Sequence, residues 1–215
     1  MMLCSLSTMR VYKFLSAHFG LKSLSERRLK ISTLEDLNDP FELLPYSMAD
    51  RTLRIALRAT RDEMARNHGV VCFSANWRDP VVWAHYADKH KGLCLGFVIP
   101  DERCKRVKYV AKRLSLRVPP TLVDAQAMLF TKYENWKYEE EIRVWTTLND
   151  IDQGLYFADF GENLRLVTVI LGARCTVTKK EIVEVLRGPS TDISFVKARA
   201  GFREFEIVRD RRGPE

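Results

Sequence analysis

The chain has 215 residues, 46% of them apolar, which is enough for a substantial core and excludes an intrinsically disordered protein. Lys and Arg number 35 against 28 Asp and Glu, and the resulting net charge of +7 suits an anionic partner such as nucleic acid or a nucleotide. Five widely spread cysteines argue against a disulfide framework, and no segment is apolar enough for a signal peptide or a transmembrane helix. We therefore expect a single cytoplasmic domain over residues 1–215, with no membrane partner.

Apolar periodicity and turn residues predict alternating short elements in the first half of the chain. These are strands at 10–15, 29–32, 70–74 and 93–99 and helices at 20–26, 49–68 and 81–90. Asp79-Pro80 is a typical opening of the third helix, and Gly69 and Gly92 are expected to end the second and third.

The second half is predicted to contain a helix at 122–130, strands at 140–146, 166–171 and 202–208, and a helix from 178 to 186. Thr178 and Glu181 form a capping box for that last helix, and Gly188-Pro189 is expected to stop it. Strands outnumber helices without a regular βαβ rhythm, which favours an α+β fold with a mixed, strongly bent or split sheet and flanking helices. The segment 164–209 is expected to complete the sheet.

A run of charged residues marks the strand at 140–146. Strand alternation turns Ile142 and Val144 toward the core, so that Glu139, Glu141 and Arg143 share the opposite face. That face either carries exposed salt bridges, each worth under about 1 kcal/mol, or lines a cleft in which Glu141 and Glu139 are catalytic. If the cleft exists, Glu141→Gln should abolish activity and leave the fold intact.

The loop Asn38-Asp39-Pro40-Phe41-Glu42 is a strong turn signal, because Asn and Asp bond their own backbone and Pro fixes φ. One interpretation is a rigid turn anchored by a buried Phe41. The other is a binding loop in which Asn38 and Asp39 hold a ribose or another polar substrate group.

The helix at 81–90 carries Trp83, Tyr86, Ala87 and His90 at helical spacing, a stripe typical of core packing. The sequence also offers four zinc-ligand types in Cys72, His85, His90 and Cys94. The two histidines fall on different helix faces, however, and both cysteines lie in apolar strands, where free Cys is commonly buried. We therefore expect no bound metal.

Basic residues are concentrated between 103 and 117, a segment without acids. They are Arg103, Lys105, Arg106, Lys108, Lys112, Arg113 and Arg117. The segment is either a solvated loop or a surface that contacts nucleic-acid phosphates.

Taken in order, several islands resemble the bacterial abortive-infection family typified by AbiGi, whose reaction is not established. The islands are Tyr12-Lys13-Phe14, Asn38-Asp39-Pro40-Phe41-Glu42, Cys72-Phe73-Ser74, Trp83-x-His85-Tyr86-Ala87, His90-x-Gly92 and Trp136-x-Tyr138-Glu139-x-Glu141-x-Arg143. They span roughly residues 11–145. The resemblance implies a bacterial cytoplasmic protein with a role in phage defence.

The order of the islands is also similar to the ADP-ribosyltransferase fold, in particular its nucleic-acid-modifying toxins. That resemblance implies that NAD is a substrate, that Glu141 and Glu139 are catalytic, and that Lys13 stands where Arg or His is usual. The cofactor-binding set that it implies is Tyr12, Lys13, Asn38, Asp39, Ser74, His85 and Tyr86.

Three functions therefore compete. The first is ADP-ribosyl transfer or NAD cleavage by a defence effector, with a nucleic-acid or protein acceptor and an antitoxin or sensor partner. The second is a non-catalytic nucleic-acid-binding or sensor module. The third is a metal-dependent nuclease using Asp39, Glu139 and Glu141, although Arg143 stands where such nucleases carry a lysine.

Overall fold

The computed structural model describes residues 7–116, 119–187 and 192–211. The described residues contain five α-helices. They are α1 (Ala17–Glu26), α2 (Arg51–Asn67), α3 (Pro80–Tyr86), α4 (Leu122–Phe130) and α5 (Lys179–Val185). Single turns of 3₁₀-helix lie at Leu34–Asp36 and Asp101–Arg103, and a longer one lies at Glu134–Glu139.

Thirteen strands accompany the helices in the described residues. They are β1 (Thr8–Leu15), β2 (Arg28–Ile31), β3 (His68–Ser74), β4 (Leu93–Pro100), β5 (Lys105–Arg106), β6 (Lys108–Val110), β7 (Thr131–Tyr133), β8 (Glu141–Thr147), β9 (Ile151–Asp152), β10 (Leu155–Asp159), β11 (Arg165–Leu171), β12 (Ser194–Ala200) and β13 (Ile207–Arg209).

Helix α3 shows how local chemistry sets its ends. The Asp79 carboxylate accepts hydrogen bonds from the backbone N–H groups of Val81 (2.7 Å) and Val82 (3.1 Å), with Pro80 at the first helical position. The helix then stops at Tyr86, because residues 88–90 adopt φ values of 45°, 52° and 71°. The predicted continuation to residue 90 is therefore wrong.

Two other predicted boundaries also need correction. Gly69 does not end α2 but lies within β3, where a Cβ would come within 2.4 Å of Ile31 Cγ2. The predicted strand at 202–208 is confirmed only from Ile207, and the separate strand β12 was missed. The expected stop at Gly188-Pro189 lies outside the described residues.

The contacts divide the chain into two compact units. Unit 1 comprises Met1–Leu29, Phe73–Arg103 and Ala158–Glu215. Its strands follow the order β13-β12-β11-β4-β1-β3, with β1 antiparallel to β4 from Thr8↔Pro100 to Leu15↔Leu93 and β12 parallel to β11. Helices α1 and α3 pack on this sheet, and α5 packs on α1. Both strand orientations occur, so the mixed sheet and the α+β class are confirmed.

Unit 2 comprises Lys30–Cys72 and Cys104–Phe157. Within it β8 lies between β3 and β5, and β6 pairs in parallel with β7. Leu44, Tyr46, Leu57 and Met128 form its apolar cluster. The predicted helix at 122–130 is confirmed at both ends, and β8 is confirmed to within one residue.

Strand β3 begins in unit 2 and ends in unit 1, since the division falls between Cys72 and Phe73. Across the described ranges, no helix is both long and apolar enough to cross a membrane.

Candidate functional site

Unit 2 contains five charged side chains that are almost completely buried, and we call them the ion network. Their exposed fractions are 2% for Glu42, 6% for Lys132, 5% for Glu139, 4% for Glu141 and 1% for Arg143. Charged residues are rarely buried to this extent unless they pair with one another. The network is therefore the most unusual chemical feature of unit 2.

Four members of the ion network lie on β7, on β8 or on the 3₁₀-helix before β8, and Glu42 lies in a turn. Glu141 and Arg143 are the first and third residues of β8, so they share a face. Glu139 ends the 3₁₀-helix that precedes β8, and Glu140 links the two with a φ of 43°. Lys132 is the middle residue of β7. Glu42 follows the Asp39 turn, in which the Asp39 carboxylate accepts from the Phe41 N–H at 2.9 Å.

Arg143 is the principal donor of the ion network. Its Nε and Nη2 donate to the two oxygens of Glu141 at 2.8 and 3.0 Å, a bidentate fork. Nη2 also donates to Glu42 Oε1 at 2.8 Å, and Nη1 donates to the Leu129 carbonyl at 2.9 Å. The guanidinium is thus fixed in one plane by three partners.

Lys132 is the second cation of the ion network. Its Nζ donates to Glu139 Oε2 at 2.7 Å and lies 3.4 Å from Glu141 Oε2 and 3.6 Å from Glu42 Oε1. The ammonium also lies 4.7 Å from the centre of the Trp136 ring. Lys132 therefore touches all three carboxylates of the network.

The network fixes the charge of Glu141. Burial alone would raise the pKa of this carboxyl, but the charge and hydrogen bonds of Arg143, with help from Lys132 and the Cys72 thiol, lower it to about 2. Burial would lower the pKa of Lys132, and the three carboxylates raise it instead. Glu141 and Lys132 are both charged at neutral pH, so Glu141 is a permanent anion and not a proton-accepting base.

Glu42 is in the opposite situation. Burial raises its pKa and outweighs the attraction of Arg143. Its Oε2 is buried and has no hydrogen-bond partner among the described residues. The network holds three carboxylates but only two cations. Glu42 is the carboxylate whose charged form the cations stabilise least.

These contacts correct the predicted charged face of the strand at 140–146. Ile142 is buried as expected, but Val144 is only partly buried. Glu139 is not on the strand, and Arg143 and Glu141 are inside the protein, so an exposed face of weak salt bridges is ruled out. Both faces of the beginning of β8 are buried.

Beside the ion network lies a cavity of about 520 Å³. Its lining residues are Arg106, Val107, Tyr109, Lys137, Tyr138, Glu140 and Glu141. The Tyr109 hydroxyl accepts a hydrogen bond from the Glu141 backbone N–H at 2.8 Å, and burial raises the pKa of Tyr109 to about 12. The cavity combines two carboxylates, Glu140 and Glu141, with aromatic and basic side chains.

A second cavity in unit 2, of about 290 Å³, lies beside the 38–42 loop. It is lined by Phe41, Leu44, Pro45, Val110, Ala111, Lys112, Arg113, Thr131, Lys132 and Tyr133. Phe41 is 52% exposed, so the expected buried anchor is wrong, and Glu42 is the residue that turns inward. The Arg113 guanidinium covers the Phe41 ring at 5.1 Å and donates to the carbonyls of Leu44 and Tyr46.

The basic residues of the predicted segment are exposed wherever the structure describes them. Lys105, Arg106 and Lys108 lie on β5 and β6, and Lys112 and Arg113 follow β6, all in unit 2. The segment is therefore not a simple loop. Arg103 is also exposed but belongs to unit 1, and Arg117 lies outside the described residues.

In unit 1 the predicted residues of the first and third strands lie side by side. Tyr12 and Ser74 are direct partners across the β1–β3 pair. The Tyr12 ring covers Gly96 on β4, where a Cβ would come within 3.3 Å of Cε1. Lys13 is half-buried, and the Ser74 hydroxyl donates to the Asn76 carbonyl at 2.9 Å, so it braces the following turn.

Helix α3 supports the packing interpretation of the aromatic stripe. Trp83 is fully buried, and its Nε1 donates to the Trp77 carbonyl at 2.6 Å. His90 is off the helix but still stacks on Trp83, with ring centres 6.3 Å apart. His85 is exposed and Tyr86 is half-buried, with their rings edge to face at 6.1 Å.

The predicted residues thus fall into two sets. Tyr12, Lys13, Ser74, His85 and Tyr86 belong to unit 1. Asn38, Asp39, Glu139 and Glu141 belong to unit 2, where Asp39 is buried and Asn38 is exposed. A common site for the two sets stays a prediction.

Sequence analysis missed two members of the ion network. Glu42 stands in an island that resembles the abortive-infection family, which was a signal that it matters. Lys132 follows a helix without any pattern that marks it, and only the fold brings it to the carboxylates.

A metal centre has little support in the described part of the chain. Within it, no group of three or more His, Cys, Asp or Glu side chains could hold a metal ion. The Cys94 thiol is buried in unit 1, and burial raises its pKa well above the usual value. The expectation that the protein binds no metal stays a prediction.

No family model matches the chain, and neither the curated proteins nor the solved structures include a match.

Proposed function

We propose that the protein is an ADP-ribosyltransferase-like enzyme that cleaves NAD. The observation that carries the proposal is the buried carboxylate of Glu141, which Arg143 holds in a bidentate pair beside a cavity of about 520 Å³ in unit 2. The Cys72 thiol of β3 also hydrogen-bonds this carboxylate at the start of β8.

The resemblance assigns binding of the dinucleotide to residues of unit 1. Lys13, next to the Tyr12–Ser74 pair, offers a positive charge for the pyrophosphate, although an ammonium lacks the planar fork of arginine. The half-buried Tyr86 ring offers a face for nicotinamide. His85 is exposed beside it and would form the outer border.

The carboxylates of unit 2 would act on the ribose. NAD supplies a glycosidic C–N bond that breaks with its electron pair leaving on nicotinamide, so positive charge develops on the ribose as in glycoside cleavage. Glu141 lines the 520 Å³ cavity and keeps its negative charge at all physiological pH values. A fixed anion of this kind stabilises a developing cation without reorganising. Asp39 and Asn38 would hold the rim of the site.

Labelled NAD tests this proposal. Wild-type protein incubated with NAD should release nicotinamide and transfer ADP-ribose to water, nucleic acid or protein, and Glu139→Gln and Glu141→Gln should each lower the rate by about 100-fold or more. Glu134→Gln, an exposed change in the same region, is the control. Rates must be compared at a temperature at which every variant is folded. A wild-type protein that leaves NAD intact with all three acceptors would contradict the proposal.

A second candidate, nucleic-acid binding without catalysis, is favoured by the surface of unit 2. The exposed residues Lys105, Arg106 and Lys108 stand near cavities lined by Tyr109, Tyr138 and Tyr133. Positive charge for phosphates with aromatic faces for bases is the usual chemistry of single-strand binding.

Salt dependence tests this second candidate. Single-stranded RNA or DNA should bind more weakly as salt rises, and Lys108→Gln should reduce the salt slope by about one. Lys30→Gln, elsewhere in unit 2, should leave the slope unchanged. Nucleic-acid binding without NAD cleavage would make this candidate the better account.

The remaining proposals concern the role of the protein in the bacterial cell. The resemblance to the AbiGi family leads us to propose an effector in bacterial phage defence, regulated by an antitoxin or sensor partner. Toxicity on expression, lost in Glu141→Gln, is the expected result. A metal-dependent nuclease is disfavoured because Arg143 stands where such nucleases carry a lysine.

A further inference from the structure

Unit 1 contains an arginine-rich cavity of about 460 Å³, which we call the arginine pocket. Its lining residues are Arg78, Arg199, Phe202, Val208, Arg209, Asp210 and Arg211. They come from the loop before α3, from β12 and the turn after it, and from β13 and the residues after it. The volume is within the about 300–1,000 Å³ typical of small-molecule sites.

The positive charge of the arginine pocket is only partly balanced. Arg78 Nη1 pairs with Glu206 at 3.3 Å. Arg199 Nε lies 3.9 Å from Asp210 Oδ1, too far for a hydrogen bond. Arg209 is exposed, and its side chain makes no hydrogen bond or ion pair with the other described residues. Four guanidinium groups therefore face two carboxylates.

Arg199 is held in a fixed position and still has N–H groups that can donate hydrogen bonds. Its Nη1 donates to the Ala200 carbonyl at 2.8 Å, and its guanidinium lies 4.0 Å from the centre of the Phe202 ring. Its buried Nε has no hydrogen-bond partner in the described part of the chain. The donors that Arg199 offers to an anionic ligand are therefore the remaining N–H groups of Nη1 and Nη2.

Phe202 gives the pocket an aromatic wall. The ring is 76% exposed although one face is covered by Arg199. An exposed aromatic ring beside clustered arginines matches a ligand that has both phosphate and a flat base, because guanidinium binds phosphate through two parallel hydrogen bonds and every base can stack.

We propose that the arginine pocket is a binding site for the diphosphate and base of a nucleotide. Arg199 and Arg209 bind the phosphates, Arg78 closes the site beside them, and Phe202 stacks on the base. The site does not depend on NAD cleavage, since none of its residues was assigned to that reaction.

Isothermal titration calorimetry in low salt tests the proposal with sodium pyrophosphate, ADP and adenosine as probes. Pyrophosphate and ADP should each bind one site, ADP more tightly, and adenosine should bind far more weakly. Arg209→Gln and Arg199→Gln should each weaken the binding of ADP and of pyrophosphate by about tenfold or more. Phe202→Ala should weaken the binding of ADP and leave the binding of pyrophosphate unchanged.

Lys180→Gln, which removes an exposed charge from α5 in the same unit, is the matched control and should not change either affinity. Arg209 is exposed, so its replacement should leave the melting temperature unchanged. Absence of pyrophosphate binding, or equal loss in Lys180→Gln and Arg209→Gln, would overturn the anion site. Equal ADP affinity in wild type and Phe202→Ala would overturn the nucleotide assignment. Neither result bears on NAD cleavage, which is measured separately.

Discussion

The sharpest consequence of the ion network is that two neighbouring carboxylates should respond oppositely to the same substitution. Glu141→Gln puts an amide N–H against the Arg143 fork, which needs two acceptor oxygens. Glu42→Gln can keep the acceptor that Arg143 uses and changes only the oxygen that has no partner. We therefore expect Glu141→Gln to destabilise the protein, contrary to the expectation from the sequence that it leaves the fold intact, and we expect Glu42→Gln to be tolerated.

The magnitude follows from the pKa values. A fall in the pKa of Glu141 from 4.5 to about 2 corresponds to about 3 kcal/mol of the free energy of unfolding. Glu141→Gln should lose about this amount at pH 7, with the amide clash added. The raised pKa of Glu42 means that its charge opposes folding at neutral pH. Glu42→Gln should therefore change stability by between zero and a gain of about 1 kcal/mol.

The two groups also have opposite pH signatures. The folded pKa of Glu141 is depressed, so its contribution is present above its unfolded pKa of 4.5 and is lost as pH falls toward about 2. The folded pKa of Glu42 is raised, so its contribution is present below 4.5 and is lost as pH rises through the folded value. The acid-dependent fall in stability between pH 4.5 and 2 should thus shrink in Glu141→Gln and persist in Glu42→Gln.

Urea unfolding at a series of pH values measures both effects. Glu134→Gln, an exposed change close to the network, should stay within about 0.5 kcal/mol of wild type. If Glu141→Gln unfolded at the wild-type urea concentration at pH 7, the bidentate pair with Arg143 would not be stabilising the fold. The network would then have no role in holding Glu141 ionised.

Three further changes test other parts of the account. Lys132→Met leaves Glu139 without its closest cation and should cost about 3–5 kcal/mol in urea unfolding at pH 7. Gly92→Ala should prevent stable folding, because the new Cβ would lie 2.0 Å from the Leu15 carbonyl oxygen, whereas Gly161→Ala meets nothing within 4 Å and should melt like wild type. Asp79→Ala removes the cap of α3 and should cost about 1 kcal/mol, measured by thermal melting.

Much of the fold follows from local sequence signals. The cap at Asp79-Pro80, the capping box at Thr178 and Glu181, and the apolar runs of β4 and β11 depend on neighbours within a few residues. The α+β class followed from the same signals. A helix end that is set by backbone conformation was harder to predict. Nothing in the sequence shows that residues 88–90, which follow α3, adopt positive φ.

The candidate site was predictable only in part. Glu139 and Glu141 were identified from strand alternation, but alternation assumes that one face meets solvent. Lys132 and Glu42 come from distant segments and bury that face, so the polar array becomes internal. Long-range ion pairing of this kind leaves no periodic trace in a single sequence.

The reaction that we propose for this protein is breakage of the nicotinamide–ribose bond of NAD. The most direct measurement is nicotinamide release under single-turnover conditions, with the protein in excess over NAD and with Glu139→Gln as the parallel sample. The account predicts release by the wild type, at a rate at least about 100-fold above that of Glu139→Gln when both are folded. Equal release by the two proteins, or none above buffer from the wild type in the presence of nucleic acid and cell lysate, would contradict it.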